Sequence, residues 1–340
     1  MQSLGPSSAL PSPRSALRDD GSIDPSYAYA LSDELAVALY EHMVLARVLD
    51  ERMVALQREG VVASHASAVG EEAAVVGAVA AMHDDDWVFP SSRELGAALW
   101  RGMPLAAYAH HVHGTSRDPA HGRNAPDPPF WKAARVASVS PLVGTHIGHA
   151  VGAAWAARMK KADVASLVYF GEGATSSGDF HTSLNFAGVT KAPVVAVCRN
   201  NGWATSTPAS KQTASHGFAV KAVAYGLRGV TVDGADVVAV LGVVRDARAR
   251  AAAGFGGTLV EAVIPGADRA DPLARMRRHL ETRASWDAER EKRLHAEVAA
   301  DVERALAEAQ AAGPPARETI FDDVYAELPW HLREQRDALR

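Results

Sequence analysis

Two short polar motifs, each placed directly after an apolar run, are the parts of this chain best suited to chemistry. The apolar run 164–170 is followed by a Gly-Glu-Gly motif that contains Glu172, and the run 193–198 is followed by an Arg-Asn-Asn motif that contains Asn201. Short apolar runs of this kind indicate parallel strands buried on both faces. Ligands bind outside the carboxyl ends of such strands. We therefore expect the Glu172 carboxylate and the Asn201 carboxamide to meet at that edge of the sheet.

Oxygen atoms at these positions suit a magnesium ion. Mg²⁺ takes about six oxygen ligands, commonly from one or two protein carboxylates, from phosphate groups and from water. Glu172 and Asn201 carry side-chain oxygens of this kind, and the backbone carbonyl of Trp203 is placed to add another. The motif pair therefore predicts a magnesium site.

The residues beside these oxygens suit a diphosphate group. Gly171 and Gly173 would let the backbone come close to a phosphate, and Arg199 would neutralise its charge. Glycine and asparagine are also common turn formers, so either motif alone is better explained by a strand-ending turn. The two motifs together, at matched strand ends, favour a magnesium diphosphate site.

The two motifs are part of a longer stretch of sequence that resembles a known family. The Gly-Glu-Gly and Asn-Asn pair resembles the signature of thiamine diphosphate enzymes. From about residue 30 onward, the chain is similar to the alpha subunit of the decarboxylating component of branched-chain 2-oxo acid dehydrogenases. The segments that carry this similarity are 45–52, 140–142, 171–176, 198–202 and 321–329.

The resemblance implies two cofactors, thiamine diphosphate and Mg²⁺. It makes Glu172, Asn201 and the Trp203 carbonyl the metal ligands. Arg93 and Arg199 would contact the diphosphate, and Ser140 and Leu142 would contact the pyrimidine. The complete set of cofactor-binding residues that the resemblance implies is Arg93, Ser140, Leu142, Gly171, Glu172, Gly173, Ala174, Arg199 and Asn201.

The resemblance also implies partners and a reaction. A separate beta subunit would supply the glutamate that activates the aminopyrimidine, in a heterotetramer of two alpha and two beta chains. The reaction would be oxidative decarboxylation of a small branched-chain 2-oxo acid such as 2-oxoisovalerate. The acyl group would then pass to a lipoyl group on an acyltransferase component.

The chain departs from the family pattern at two histidines. Most of the family's loop that carries an active-site histidine and regulatory phosphorylation sites is missing between Glu261 and Asp271, and Pro128 stands in place of a second histidine. Ser92 also replaces a tyrosine. Histidine is the usual proton-transfer group at neutral pH. His146 and His65 are candidate catalytic replacements, and the alternative for each is an ordinary packed or exposed histidine.

These departures keep two other functions open. Besides the family's own reaction, one alternative is a thiamine diphosphate-dependent decarboxylase or carboligase without acyl transfer, and the other is a catalytically silent regulatory or assembly subunit. The first would release carbon dioxide without acylating a lipoyl group. The second would bind Mg²⁺ and thiamine diphosphate but turn nothing over.

A cluster of three histidines, His110, His111 and His113, invites comparison with a zinc site. Zinc needs three or four convergent ligands, and no Cys, Asp or Glu follows at a recognisable spacing. We therefore expect a solvated helix end.

Composition fits a soluble globular enzyme, and the resemblance makes it an oxidoreductase. The chain has 340 residues, of which 48% are apolar, and a net charge of -5. No basic stripe stands out, so we expect no nucleic-acid partner. No apolar run is long enough for a membrane span. The single cysteine, Cys198, lies in a predicted strand, where it should be a buried thiol, and it fits a reducing cytoplasm.

The pattern of elements predicts a doubly wound, mostly parallel α/β sheet of the thiamine diphosphate-binding type. We expect a flexible or loosely docked N-terminal arm at 1–28, the α/β domain at 29–270 and a helical C-terminal extension at 271–340 packed on the same domain. Apolar spacing and caps predict helices at 33–58, around 148–155, at 237–253 and after Pro272, and further strands at 229–234 and 258–263.

Overall fold

A five-stranded parallel sheet forms the centre of the protein. The structure, a computed structural model, describes residues 12–27, 31–126, 129–265, 270–322 and 324–339. The sheet order is β1-β2-β3-β7-β6, and a small antiparallel pair, β4-β5, lies apart from it. The strands are β1 (Trp87–Phe89), β2 (Ser166–Gly171), β3 (Val194–Asn200), β4 (Trp203–Ala204), β5 (Thr207–Pro208), β6 (Arg228–Asp233) and β7 (Thr258–Val263).

Helices cover both faces of this sheet. The α-helices are α1 (Asp33–Arg58), α2 (Glu72–Ala80), α3 (Leu95–Trp100), α4 (Leu105–His113), α5 (Thr145–Met159), α6 (Gly178–Thr190), α7 (Ala209–Gln212), α8 (Val237–Ala252), α9 (Pro272–Thr282), α10 (Ala288–Ala311) and α11 (Trp330–Asp337). Short 3₁₀ segments include Glu172–Ser176 and Ala219–Tyr225.

Alternating side chains of the central strands build two apolar layers. In β2, Leu167 and Tyr169 point into the layer formed with α1, α2 and α8, while Val168 and Phe170 point into the layer formed with α5 and α6. Successive residues of a strand face opposite sides of the sheet, so a strand buried on both sides must be apolar throughout. The doubly wound α/β prediction is therefore confirmed.

The predicted elements match the structure closely where local signals are strong. Helix α1 begins after Ser32, whose side chain accepts a hydrogen bond from the Leu35 N–H at 3.2 Å. Helix α8 begins after Asp236, and α9 after Asp271 with Pro272 as its first residue. Cys198 is fully buried and free, as expected.

Residues 12–27 are packed on the domain, although the sequence indicated a flexible or loosely docked arm. Ala16 and Leu17 are buried, and both of their N–H groups donate to the Asp236 carboxylate at 2.7 Å. Arg14 forms a bridge with Val232 at the sheet edge. The carboxylate that caps α8 thus also fixes this segment, which composition alone did not reveal.

The histidine cluster is not a solvated helix end, and that prediction is wrong for His110 and His111. Both are buried at the end of α4. His110 pairs with Thr115 at 2.8 Å, while His111 lies between the Asp118 carboxylate at 2.8 Å and a backbone carbonyl. Helix α10 packs on α4, and its Glu308 lies 3.8 Å from His110 Nε2, whereas His113 stays partly exposed.

The C-terminal helices pack on the α/β domain. Val298, Val302 and Leu306 of α10 are buried in the layer that also contains α1. The apolar stripe of this charged helix is thus covered by its own domain, as its spacing predicts. None of the helices in the described part of the chain combines the length and apolar content that a membrane crossing requires.

Candidate functional site

The two polar motifs lie side by side at the carboxyl edge of the sheet. Gly171, at the end of β2, is paired in register with Arg199 near the end of β3. Glu172 opens a 3₁₀ turn directly after β2, and Asn201 lies in the loop directly after β3. The parallel register therefore places the carboxylate and the carboxamide at the same level, as the sequence predicts.

A cavity of about 460 Å³ opens at this edge. All nine predicted cofactor-binding residues line it, as does Trp203. They are Arg93, Ser140, Leu142, Gly171, Glu172, Gly173, Ala174, Arg199 and Asn201. The Ser140 hydroxyl accepts a hydrogen bond from the Leu142 N–H at 3.2 Å, which turns this loop back on itself at the cavity. Residues from the β1, β2 and β3 ends and from the loop before α5 thus converge on one space.

Glu172 is buried beside this cavity with unused bonding capacity. The residue is 1% exposed, and its Oε1 atom has no hydrogen-bond partner among the described residues. Burial raises the pKa of Glu172, and the Gln212 side chain and the Asn201 N–H lower it only in part. A buried carboxylate oxygen without a partner costs stability unless a proton or a cation compensates it. The position fits a cation ligand.

Asn201 is held by its neighbours in a defined orientation. Its Nδ2 donates to Glu71 Oε1 at 3.3 Å, and its Oδ1 accepts from the Trp203 N–H at 3.1 Å. A carbonyl-type oxygen has two lone pairs, so Oδ1 can accept the Trp203 hydrogen bond and still bind a cation. Trp203 itself is largely exposed beside the cavity.

Two arginines at the cavity wall are already paired with buried acids. Arg199 forms ion pairs with Glu71 and Glu94 and donates to Ser91 Oγ at 2.9 Å. Arg93 pairs with Glu71 at 2.6 Å and remains partly exposed. Burial would lower the pKa of Arg199, but Glu94 and Glu71 raise it above its usual range, so the guanidinium stays charged.

Sequence analysis missed Glu71, Glu94 and Ser91, the residues that organise these arginines. Burial would raise the pKa of Glu71, but Arg199 and Arg93 outweigh it and hold that pKa below its ordinary value. One signal was available, because the Ser-Ser-Arg-Glu segment 91–94 follows the β1 strand as the two motifs follow β2 and β3. The three-residue β1 strand is too short to recognise from its pattern.

The two motif glycines serve different purposes. A Cβ atom at Gly173 would lie 2.6 Å from the Ala204 side chain, so this glycine lets the 3₁₀ turn approach β4. A Cβ atom at Gly171 would meet no atom within 4 Å in the described structure, and this glycine lines the cavity. Gly171 therefore leaves open space of the kind that a phosphate needs.

His146 lines the same cavity and is buried. Its Nε2 lies 2.7 Å from the Tyr169 carbonyl oxygen, and its Nδ1 has no partner in the part of the chain that the structure describes. Burial lowers the pKa of His146, so the ring is neutral at pH 7. It offers one hydrogen-bond acceptor at the cavity.

His65, the other candidate, lies outside this cavity. It lines a small neighbouring space of about 20 Å³ and pairs with Asp50 at 2.9 Å. Asp50 also accepts from the Ser67 hydroxyl and the Ala68 N–H. Of the other predicted site residues, Arg93 also lines this small space, while His65 does not reach the main cavity.

The structure does not describe the two places where the family carries its histidines. Pro128 and the loop residues 266–269 lie outside the described residues, so the departures there stay sequence observations. Ser92, which replaces a family tyrosine, lines the cavity.

The donor set fits a magnesium diphosphate better than a metal held by protein alone. Among the described residues, no group of three or more His, Cys, Asp or Glu side chains could hold a metal ion. The expected set has one carboxylate, one carboxamide and one backbone carbonyl, which is typical of Mg²⁺ sites completed by phosphate and water. The partnerless Glu172 oxygen and the open space at Gly171 agree with that arrangement.

Comparison with known proteins identifies the same family that the cavity residues indicate. The family model described as "Dehydrogenase E1 component" matches residues 40–264. The chain is 38% identical to the 3-methyl-2-oxobutanoate dehydrogenase subunit alpha of Mycobacterium tuberculosis, covering 92% of this chain and 89% of the relative. It is 36% identical to the mitochondrial 2-oxoisovalerate dehydrogenase subunit alpha 2 of Arabidopsis thaliana, covering 95% and 74%.

An animal relative extends the match over nearly the whole chain. The mitochondrial 2-oxoisovalerate dehydrogenase subunit alpha of Bos taurus is 34% identical, covering 98% of this chain and 78% of the relative. The chain therefore belongs to the dehydrogenase E1 component family, among the alpha subunits of 2-oxoisovalerate dehydrogenases.

Proposed function

We propose that this chain is the alpha subunit of an enzyme that oxidatively decarboxylates branched-chain 2-oxo acids such as 2-oxoisovalerate. The acyl group would pass to a lipoyl group of an acyltransferase component. The observation that carries this proposal is the convergence of Glu172, Asn201, Arg93 and Arg199 on one cavity at the carboxyl edge of the sheet. The names of the relatives support the substrate class and do not favour a carboligase or a silent subunit.

The dehydrogenase E1 component family depends on thiamine diphosphate. When bound, this cofactor supplies the ylid chemistry that decarboxylates a 2-oxo acid. Glu172, Asn201 and the Trp203 carbonyl would bind Mg²⁺ at the diphosphate end. The Arg93 guanidinium, which is partly exposed beside the cavity, would contact the diphosphate.

Other residues would orient and enclose the cofactor. Ser140 and Leu142 lie in the loop before α5 and would contact the pyrimidine. Arg199 would act mainly as a buried positive charge, since Glu71, Glu94 and Ser91 already pair with its two terminal nitrogens, Nη1 and Nη2. His146 would accept a hydrogen bond at Nδ1, because its Nε2–H is taken by a carbonyl.

Alpha subunits of this family work with a beta subunit. We propose that α5 and α6 carry one contact surface for the beta subunit. Trp155 and Phe186 meet edge to face with ring centroids 5.1 Å apart, and both are partly exposed. Met159 and Val189 beside them are 67% and 77% exposed. Exposed apolar patches of this kind mark protein interaction sites.

A glycine on the same helix supports close contact with another subunit. A Cβ atom at Gly152 would meet nothing within 4 Å in the described structure, and the residue is exposed. A glycine inside a helix costs about 0.5–1 kcal/mol relative to alanine, so it needs a reason. No neighbour within the described chain gives one, and a helix of the beta subunit approaching α5 would. We propose a heterotetramer of two alpha and two beta chains.

Binding of the cofactor by the assembled protein tests this function. Titration calorimetry of this chain, co-expressed with its beta subunit, should show thiamine diphosphate binding that requires Mg²⁺ and is lost with a chelator. Absence of binding would refute the cofactor assignment.

We also propose a cytoplasmic location on the basis of the single buried cysteine. Fractionation of the source cells would test this location.

A further inference from the structure

Glu71 connects three residues that the proposed function assigns to the cofactor. Its Oε1 accepts from Arg93 at 2.6 Å and from Asn201 at 3.3 Å, and its Oε2 accepts from Arg199. Glu71 is 2% exposed and lines the cavity. These partners come from distant parts of the chain, and among the described residues Glu71 is the one carboxylate that all three share.

The support beneath Glu71 is a buried helix. The residue stands directly before α2, a helix in which eight of the nine residues are buried. Helix α2 packs on α8 and α1. A side chain on such a support can hold its partners within the small tolerance that a binding site needs.

The contact with Asn201 decides which end of the amide is free. A carboxylate only accepts hydrogen bonds, so the Asn201 group that faces Glu71 must be the NH₂. The Oδ1 atom then lies on the opposite side, where it also accepts from the Trp203 N–H. With the amide reversed, Asn201 would offer N–H groups, which cannot bind a cation.

We propose that Glu71 is a positioning residue for the cofactor: its carboxylate sets the orientation of the Asn201 amide and holds Arg93 and Arg199 at the cavity wall. This inference rests on the proposed function. Groups that orient metal ligands typically change metal affinity 10–100-fold when they are mutated. Glu71 should therefore affect cofactor binding more than the chemical step.

The test is the apparent Mg²⁺ dissociation constant, measured by titration calorimetry on the assembled protein at saturating thiamine diphosphate. Glu71→Gln keeps the size of the side chain but can present its own NH₂ to Asn201. We expect it to weaken Mg²⁺ binding by about tenfold or more, with kcat largely restored at saturating Mg²⁺. Glu72→Gln is the matched control, because Glu72 is equally buried but pairs with Arg47 away from the cavity. The control should stay within about twofold of wild type, a difference of only a few tenths of a kcal/mol.

A second variant separates a loss of Asn201 orientation from a general disturbance of the site. In Asn201→Asp both side-chain ends are oxygens, so nothing remains to orient, and the new carboxylate faces Glu71. In that background, Glu71→Gln should no longer weaken Mg²⁺ binding and should improve it. If the melting temperature without cofactor shows that Glu71→Gln does not fold, Glu71→Asp is used instead. The shorter side chain of Glu71→Asp should also weaken Mg²⁺ binding.

The outcomes separate the two proposals. Equal Mg²⁺ affinity of wild type and Glu71→Gln would overturn the role of Glu71. An equal loss in both Asn201 backgrounds would overturn its orientation of the Asn201 amide. Both results would leave the proposed function intact. A wild-type assembly that binds neither Mg²⁺ nor thiamine diphosphate would instead refute the proposed function.

Discussion

His146 Nε2 donates a hydrogen bond to the Tyr169 carbonyl oxygen at 2.7 Å, because a carbonyl can only accept. This bond fixes the tautomer of the ring and leaves Nδ1 as an unprotonated acceptor. The bond joins the first turn of α5 to the strand that ends at the Gly-Glu-Gly motif. Burial lowers the pKa of His146 and outweighs this bond, which raises it.

We expect His146 to make the stability of the cofactor-free protein depend on pH in the acid range. Burial lowers the pKa of His146 below the ordinary value of 6.5, so the unfolded chain binds this proton more readily than the folded one. The free energy of unfolding should therefore decrease as the pH falls from 7 through 6.5 towards the folded-state pKa. In melting curves between pH 8 and pH 5, His146→Gln should lose less stability than wild type. Parallel curves would contradict the neutral, buried state of the ring.

We expect His65 to act on stability more than on turnover. His65 is one of three groups that satisfy the buried Asp50 carboxylate, and it lies outside the main cavity. Removal of a partner from a buried carboxylate costs about 1–3 kcal/mol. His65→Ala should lower the free energy of unfolding in urea by that amount, while kcat with 2-oxoisovalerate changes little. A loss of turnover without a loss of stability would instead make His65 the catalytic replacement.

We expect Glu172→Gln to stabilise the cofactor-free protein and abolish Mg²⁺-dependent cofactor binding. Burial raises the pKa of Glu172, so its contribution to stability is present at acid pH and is lost as the pH rises through the folded-state pKa. At neutral pH the charged, partnerless oxygen is unfavourable without a cation. The melting temperature without cofactor should rise by about 2 °C or more, and calorimetry should show no binding. Unchanged affinity would remove the metal assignment.

We expect Gly152→Leu to prevent association with the beta subunit. A leucine at this exposed position of α5 finds space within the isolated chain, but it would block a helix that packs closely on the glycine. Size-exclusion chromatography of the co-expressed chains should show the variant eluting apart from the beta subunit. Ala300→Leu, at an exposed position of α10, is the control and should assemble normally. Normal assembly of Gly152→Leu would place the contact surface elsewhere.

Local patterns were sufficient to predict the central elements and the main cavity residues. Strands β2 and β3 contain short apolar runs, and β7 is a mostly apolar run interrupted by Glu261. Ser32 and Asp271 are good N-caps, so the positions of these elements follow from the sequence. Parallel strands end at one edge, so the proximity of Glu172 and Asn201 also follows.

Long-range contacts limited the rest of the prediction. Glu71 and Arg199 are separated by 128 positions, and no local pattern indicates that they pair. His111 lies in a histidine-rich segment that indicates exposure, but Asp118 and the Phe130 ring cover it. Residues 12–17 have the composition of a loose arm, yet Asp236 binds two of their backbone N–H groups.

The most direct test of the central claim is turnover of 2-oxoisovalerate by this chain assembled with its beta subunit, Mg²⁺ and thiamine diphosphate. The acceptors are an artificial electron acceptor and, in a separate assay, the lipoyl domain of the acyltransferase component. The account predicts Mg²⁺-dependent turnover with both acceptors. An assembly that binds the cofactor but releases no carbon dioxide from 2-oxoisovalerate with either acceptor would contradict it.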